Sequence, residues 1–159
     1  ARRDRTLHRN FQGYTTKAGT DLVGLGVSAI GAVGDSFVQN RRELHDYRQA
    51  VEADGAATFR GFRLSFDDRV RRAVIGNLLC HGIVVFGEIE AAFGVDFRSY
   101  FAEALDDLAG CAADGLVEIS DASIRATPLG RVFLRNLAMP FDSYLLPAES
   151  AKPLFSKTL

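Results

Sequence analysis

Glycine is concentrated near the start of this chain, and that concentration limits what the first third can fold into. Six of the 15 glycines in 159 residues fall between positions 13 and 34. Glycine loses more backbone freedom on folding than any other residue, so such a cluster is typical of tight turns or of backbone that a neighbour approaches closely. Residues 11–33 are predicted to form extended segments and tight turns, and the apolar run from Leu22 to Ile30 predicts a buried strand interrupted by Gly24 and Gly26.

Helical periodicity replaces this pattern further along the chain. Residues 41–54 predict a charged helix that ends at Gly55, and Ser65 with Asp68 resembles a capping box, with Asp in place of the usual Glu or Gln. The helix that follows is predicted to stop at Gly82. Its apolar residues recur at helical spacing, at Phe66, Val70, Val74, Ile75, Leu78 and Leu79.

Two shorter helices are predicted next. The first runs around Phe86 to Phe93 and is closed by Gly94. Asp96 is placed to cap the second. The predicted buried face of that second helix is formed by Tyr100, Phe101, Ala104, Leu105, Leu108 and Ala112.

A hairpin and a closing helix complete the predicted C-terminal region. Residues 116–119 and 124–126 predict the two strands, with residues 120–123 as the turn. Thr127 and Pro128 are typical of a helix start, and the closing helix carries Leu129, Val132, Phe133 and Leu137. Three helices, a hairpin and a closing helix indicate a winged-helix-like domain over residues 56–146.

Many winged helices bind DNA, but the charges here argue against it. The helix before the hairpin would enter the major groove, and phosphate neutralisation requires that it be basic. Between Asp96 and Glu118 the segment holds six carboxylates and only one basic residue, Arg98. We therefore expect no nucleic-acid binding by this domain, and packing against another domain is the alternative.

Composition sets broader limits. The chain is 47% hydrophobic, and no apolar run approaches the roughly 18 residues needed to cross a bilayer. No secretion signal opens the chain, so a cytoplasmic protein is expected. Cys80 and Cys111 lie too far apart in sequence for a metal pair and fall within apolar helical patterns, which predicts two buried thiols.

A weak dinucleotide-binding pattern is present and is set aside. Gly24, Gly26 and Ala29 match G-x-G-x-x-A, but that fingerprint needs a preceding apolar strand and a long following helix. Only a short strand precedes the first glycine, and Gly31 and Gly34 interrupt any helix. Structural glycines at a strand end are the favoured interpretation.

Several sequence blocks carry a more specific signal. LHRNFQGYTT, DLVGLGVSAIG and SFVQN resemble the last part of the barrel of bacterial oxygen-independent coproporphyrinogen III oxidases, which are radical S-adenosylmethionine enzymes. DDRVRRAVIGNLLC, YFAEALDDLAGCAADGLVEI, GRVFLRN and FDSYL resemble the C-terminal helical domain of the same family. The resemblance covers about Leu7 to Leu145. It implies an α+β, mainly helical chain: a terminal piece of a radical SAM barrel, followed by the winged-helix-like domain.

The resemblance also implies an activity for the full-length enzyme. Family members are cytoplasmic monomers of haem biosynthesis that oxidatively decarboxylate two propionates of coproporphyrinogen III to vinyl groups, giving protoporphyrinogen IX. They hold a 4Fe-4S cluster on three cysteines and bind two S-adenosylmethionine molecules. Transferred motif by motif, S-adenosylmethionine contacts fall on Phe11, Gln12 and Ile30, with Ala29 as a weaker neighbouring candidate.

The chain departs from the family at the cluster. The motif C-x-x-x-C-x-x-C is absent, so no metal ligand and no catalytic residue is assigned here, and the fragment alone is expected to be inactive with no cofactor bound. The predicted organisation is 1–48 as the incomplete end of the barrel, 49–55 as a linker, 56–146 as the C-terminal domain and 147–159 as a flexible tail. Because the chain opens at Ala1 and its first methionine is Met139, a fragment is expected.

Two further interpretations stay open. A stand-alone winged-helix module without catalysis is the alternative to an enzyme fragment, either as an interaction module or as a nucleic-acid binder. The basic residues near the start could attract a substrate with four carboxylates, although a solvated face is the commoner explanation for such a cluster. These residues are Arg2, Arg3, Arg5, His8 and Arg9.

Overall fold

A computed structural model describes residues 4–145 of the chain. The predicted tail 147–159, the last position of the predicted C-terminal domain, and Arg2 and Arg3 of the basic cluster lie outside the described residues. The chain divides into two compact units, an N-terminal unit ending at Gly76 and a C-terminal unit beginning at Asn77. Helices and sheets are mixed, as an α+β chain requires. No helix among residues 4–145 combines the length and apolar character of a membrane span.

The N-terminal unit is built from two small antiparallel sheets and one helix, followed by the start of another. Strands β1 (His8–Asn10) and β2 (Gly13–Thr15) form a hairpin. Strands β3 (Ile30–Val33), β4 (Ser36–Asn40) and β5 (Thr58–Arg63) form a sheet in the order β3-β4-β5. Every neighbouring pair is antiparallel, and the described residues close no barrel.

The two helices that begin in this unit end where the sequence predicted, but the first begins at Leu44, three residues later than predicted. Helix α1 (Leu44–Asp54) ends at Gly55, so most of the predicted 49–55 linker is helical. Helix α2 (Phe66–His81) starts with the predicted capping box: the amide of Asp68 donates to Ser65 Oγ at 3.1 Å, and the amide of Ser65 donates to Asp68 Oδ2 at 2.7 Å. Asp therefore closes the box as Glu would.

The predicted strand from Leu22 to Ile30 is wrong. Only Leu22 pairs, through a single bridge to Ala32, and a loop replaces the strand until β3 begins at Ile30. Gly26 and Ser28 adopt φ of 96° and 56°, values that no strand contains. The apolar side chains of this loop, at Val23, Leu25 and Val27, are exposed.

The C-terminal unit packs helices around a three-stranded sheet. Strands β6 (Ile83–Val85), β7 (Val117–Ile119) and β8 (Ser123–Ala126) form the sheet in the order β6-β8-β7. Helices α3 (Phe86–Phe93), α4 (Phe97–Tyr100), α5 (Ala102–Ala113) and α6 (Leu134–Ala138) supply most of the remaining core. The fully buried large side chains of this unit are Leu78, Val84, Phe97, Leu108, Ile124, Leu137 and Phe141, with Phe101 almost fully buried.

Two predicted helices of this unit are broken. Asp96 caps α4, but the helix stops at Phe101, whose φ and ψ of −115° and 28° separate it from α5. The break still leaves Phe101, Ala104 and Leu108 buried as predicted. The predicted closing helix is a 3-10 turn over Gly130–Phe133 followed by α6.

The start of that 3-10 turn explains why the closing helix is irregular. Thr127 Oγ1 accepts from the amide of Gly130 at 3.0 Å, as the predicted cap requires. Gly130 lies so close to the preceding hairpin that a Cβ there would overlap the carbonyl oxygen of Leu116. Backbone contact at this position therefore fixes the entry of the chain into the turn, while Leu129 and Val132 remain exposed.

Candidate functional site

Phe11 and Gln12 form a tight connection between two strands. In the β1–β2 hairpin Asn10 pairs with Gly13, so only these two residues make the turn. The amide of Gln12 donates to Asn10 Oδ1 at 2.8 Å. This short local hydrogen bond is typical of Asn at the start of a turn. The hairpin thus fixes where both candidate residues lie.

The ring of Phe11 packs on a neighbouring strand. It meets Phe37 of β4 edge to face, with centroids 5.0 Å apart and planes at 89°. About half of the Phe11 side chain stays exposed. This is the geometry that aromatic pairs prefer, and it leaves one face of the Phe11 ring available to another group.

Ala29 and Ile30 lie where the glycine-rich loop enters the sheet. The amide of Asn40 donates to the carbonyl of Ala29 at 3.0 Å, and Ile30 pairs with Gln39 across β3 and β4. The side-chain amide of Asn40 also donates to the carbonyls of Gly24 and Gly26, each at 3.0 Å. Asn40 therefore holds the loop against the sheet and fixes the position of Ile30.

One cleft brings Phe11 and Ile30 together. It has a volume of about 380 Å³, and Phe37 and Phe62 add to its apolar wall. Its polar groups are Gln39 and Arg60, whose Nε donates to Gln39 Oε1 at 2.9 Å. An apolar wall with a few placed polar groups is the usual form of a small-molecule site. We name this the apolar cleft.

The structure does not bring the other two candidates into this cleft. Gln12 is exposed at the hairpin turn, and Ala29 is half-buried beside the cleft without lining it. The sequence predictions missed Phe37, Arg60 and Phe62, which come from strands β4 and β5. No regular alternation in TFRGFR indicated them, because its two phenylalanines lie three positions apart and therefore on opposite faces of the strand.

A second cleft shares the same aromatic pair. It has a volume of about 390 Å³ and is lined by Arg9, Asn10, Phe11, Ala32, Phe37 and Arg72. The guanidinium carbon of Arg72 lies 4.9 Å from the centroid of the Phe37 ring, within cation–π range. We name this the arginine cleft. The Phe11–Phe37 pair therefore stands between a mainly apolar cleft and a positively charged one.

No metal site is formed within residues 4–145. No group of three His, Cys, Asp or Glu side chains lies in a position to hold a metal ion there. Both cysteines are free thiols, and Cys80 is buried as predicted, whereas Cys111 is only half-buried. The donor set of an iron–sulfur cluster, three or four cysteine thiolates, does not fit these residues.

The C-terminal unit exposes the carboxylates between Asp96 and Glu118, which we name the acidic face. Arg98, the only basic residue between Asp96 and Glu118, donates to the carbonyl of Ser120 at 2.8 Å and to Asp121 Oδ1 at 2.9 Å. Its guanidinium group is thus engaged in hydrogen bonds to the hairpin turn. Hydrogen bonds from the side chain and the amide of Ser99 hold the pKa of Asp96 below its ordinary value of 3.8. At neutral pH this face presents carboxylates.

Comparison with known proteins adds a family model and several relatives. Residues 64–133 match the model described as the HemN C-terminal domain. Oxygen-independent coproporphyrinogen III oxidase from Pseudomonas aeruginosa is 50% identical over 91% of this chain, and the protein of the same name from Escherichia coli is 48% identical over 91%. The Synechocystis protein of that name is 38% identical over the whole chain.

A solved structure agrees with these relatives. Its description is coproporphyrinogen III oxidase (HemN) from Escherichia coli, a radical SAM enzyme. It matches 91% of this chain with a TM-score of 0.88 at 48% identity. The match covers 33% of that structure, and the chain spans about a third of the length of the curated relatives, 32% for the P. aeruginosa and E. coli proteins.

Proposed function

The chain belongs to the oxygen-independent coproporphyrinogen III oxidase family, and from this premise we propose that it is the C-terminal part of such an enzyme. The observation that carries the proposal is the agreement of fold and sequence together, a TM-score of 0.88 at 48% identity over 91% of the chain. The proposed full-length enzyme converts two propionates of coproporphyrinogen III to vinyl groups. Each conversion releases one CO₂, one proton and two electrons: the radical source would take up the proton and one electron together as a hydrogen atom, and a separate electron acceptor would take the second electron.

S-adenosylmethionine is the proposed source of the hydrogen-abstracting radical chemistry, with two molecules bound to the full-length enzyme and none to this chain alone. The apolar cleft fits part of this cofactor, because Phe11 and Ile30 give an apolar wall and Gln39 and Arg60 give polar groups beside it. Phe11 is proposed to pack against the adenine ring and Ile30 against the sugar. Gln12 and Ala29 are retained as weaker contacts, from the hairpin turn and from beside the cleft.

The 4Fe-4S cluster is proposed to be held by another part of the full-length protein. The described residues offer no fitting ligands, and the chain lacks C-x-x-x-C-x-x-C. We therefore assign no catalytic residue to this chain. Its own contribution is to bind and orient the reactants.

The domain organisation is proposed in the same terms. Residues 1–48 would complete the end of the barrel, 49–55 would connect the parts, and 56–146 would be a winged-helix-like domain. The β6-β8-β7 sheet with its surrounding helices supports the last assignment. This domain is proposed to cover the mouth of the barrel and exclude water from a radical intermediate. Normal turnover by a full-length enzyme lacking residues 56–159 would contradict that role.

The setting proposed for the enzyme is the cytoplasm, as a monomer that binds neither membrane nor nucleic acid. The acidic face of the C-terminal unit supports the last point, since carboxylates repel a polyanion. A gel-shift assay at low salt tests it against the alternative of a nucleic-acid-binding module. Retardation that weakens as salt rises would support that alternative.

The function is tested with the full-length protein under strict anaerobiosis. Coproporphyrinogen III, S-adenosylmethionine, a low-potential reductant and an electron acceptor are supplied, and the products are oxidised to porphyrins and separated by chromatography with fluorescence detection. Loss of two CO₂ per tetrapyrrole is expected, together with rescue of a haem-requiring strain that lacks this activity. Absence of both, while the E. coli relative is active in parallel, would overturn the proposal.

A further inference from the structure

The arginine cleft has a charge that the described structure does not neutralise. Two guanidinium groups, those of Arg9 and Arg72, line it, and no carboxylate of residues 4–145 lies among its lining residues. Neither arginine makes a salt bridge with any residue in the range 4–145. Two like charges sharing one cleft favour binding of an anion between them.

Among the arginines of helix α2, only Arg72 lacks a salt bridge with a residue in the range 4–145. Arg69 Nη1 lies 3.0 Å from Asp35 Oδ2, and Arg71 Nε lies 2.7 Å from Asp67 Oδ2. Each of these neighbours therefore uses a carboxylate of the protein. Arg72 instead lies over the Phe37 ring, which orients its guanidinium plane without consuming its hydrogen-bond donors.

Arg9 is positioned in a comparable way. It belongs to β1, directly opposite Tyr14, and its guanidinium carbon lies 5.8 Å from the centroid of the Tyr14 ring. Strand pairing and the aromatic contact both limit its movement. Aromatic packing thus orients both cations of the cleft, and their N–H groups remain for a ligand.

We propose that Arg9 and Arg72 bind a propionate carboxylate of the tetrapyrrole substrate in the arginine cleft. This inference rests on the proposed function. Guanidinium donates two parallel hydrogen bonds to a carboxylate, and the Phe11–Phe37 pair offers an apolar surface to the ring that carries it. Because the same aromatic pair also lines the apolar cleft, the anchored substrate lies next to the proposed cofactor site. Arg9 and Arg72 are positioning residues in this scheme.

The test measures binding, with the full-length protein and a stable probe. Coproporphyrin III, the form in which the bridges between the pyrrole rings are oxidised, carries the same four carboxylates and is fluorescent. Arg9→Gln and Arg72→Gln are each expected to weaken its binding about tenfold, the usual loss for a hydrogen bond to a charged group. The fold-loss in affinity of the double variant should be smaller than the product of the two single fold-losses, since both arginines hold the same carboxylate.

Three controls separate recognition from structural damage. Arg69→Gln removes the same charge from the same helix outside the cleft and should bind the probe like the wild type. Arg72→Lys keeps the charge but not the planar donor pair, and should recover binding in part. Coproporphyrin tetramethyl ester has no carboxylate, so the wild type and Arg72→Gln should bind it equally.

The outcomes distinguish the two proposals. Wild-type binding of coproporphyrin III that Arg9→Gln and Arg72→Gln leave unchanged would overturn this inference alone. So would equal weakening of the free acid and the ester, or a loss confined to S-adenosylmethionine affinity. A wild-type enzyme that neither binds coproporphyrin III nor turns over coproporphyrinogen III would overturn this inference and the proposed function together.

Discussion

The two units of this chain differ in how they are stabilised. The C-terminal unit buries an aromatic and aliphatic cluster in which Phe97 stacks on Phe86 with centroids 4.2 Å apart and meets Phe101 at 4.9 Å. In the N-terminal unit, the buried apolar side chains among the described residues are Ala57, Val70 and Val74. Large apolar side chains such as Phe59 and Leu25 are exposed there instead.

This difference shows that apolar side chains serve two purposes in this chain. In one unit apolar side chains supply the hydrophobic stabilisation of a core, about 25 cal/mol per Å² buried. In the other they line clefts and surfaces, and hydrogen bonds such as those from the Asn40 side chain hold the glycine-rich loop. Ligand recognition is expected in the unit with exposed aromatic rings, and resistance to unfolding in the other.

The largest expected effect is loss of a core ring. Phe97→Ala should destabilise the 159-residue chain by about 3–5 kcal/mol, because the removed ring leaves a cavity between Phe86 and Phe101. Phe59→Ala, at a side chain that is 57% exposed, is the matched change in the N-terminal unit and should cost less than about 1 kcal/mol. Urea unfolding followed by circular dichroism measures both. Equal losses would refute the contrast between the units.

A smaller effect is expected from a single added methyl group at Gly130. A Cβ there would overlap the Leu116 carbonyl oxygen, so Gly130→Ala must shift the backbone and should cost about 1–3 kcal/mol. Gly110→Ala is the control, since the space around Gly110 in α5 is open. It should stabilise the chain by about 0.5–1 kcal/mol. Thermal unfolding of the two variants should therefore shift in opposite directions.

The smallest expected effect is a pH dependence in the C-terminal unit. Because hydrogen bonds from Ser99 lower the pKa of Asp96 in the folded state, its contribution to stability is complete above about pH 3.8 and is lost as pH falls through the folded pKa. Asp96→Asn keeps a capping side chain but does not titrate. The difference in urea midpoint between wild type and variant should be constant above pH 5 and should change below pH 4. A difference that stays constant down to pH 2 would show that Asp96 gains nothing from ionisation.

Local signals were enough to predict most of the C-terminal unit. Capping residues and apolar spacing gave α2 and α3 with their end residues, and alternation gave the hairpin of β7 and β8 within one residue. The break at Phe101 was not predictable, because Tyr100 and Leu105 continue the helical spacing across it. Tertiary packing of the buried Phe97 and Phe101 rings decided the local geometry.

The candidate site was predictable only in part. The resemblance indicated Phe11 and Ile30, and the structure brings these two into one cleft. It gave no indication of Phe37 or Arg72, which reach the clefts through the packing of the Phe11 ring on Phe37 and the placement of α2. The glycine-rich loop misled the strand prediction, because a buried strand and a folded loop of small apolar residues have the same composition.

The two-residue turn at Phe11 and Gln12 has a consequence for how this chain tolerates change. Asn10 and Gly13 are direct partners, so the connection contains no spare length. An insertion between them would slip the pairing, and a slip of one residue turns every side chain of a strand to its opposite face. Arg9 would then leave the arginine cleft, although Arg9 itself was not substituted. The number of residues between the strands therefore determines the shape of both clefts more than the identity of any one side chain does.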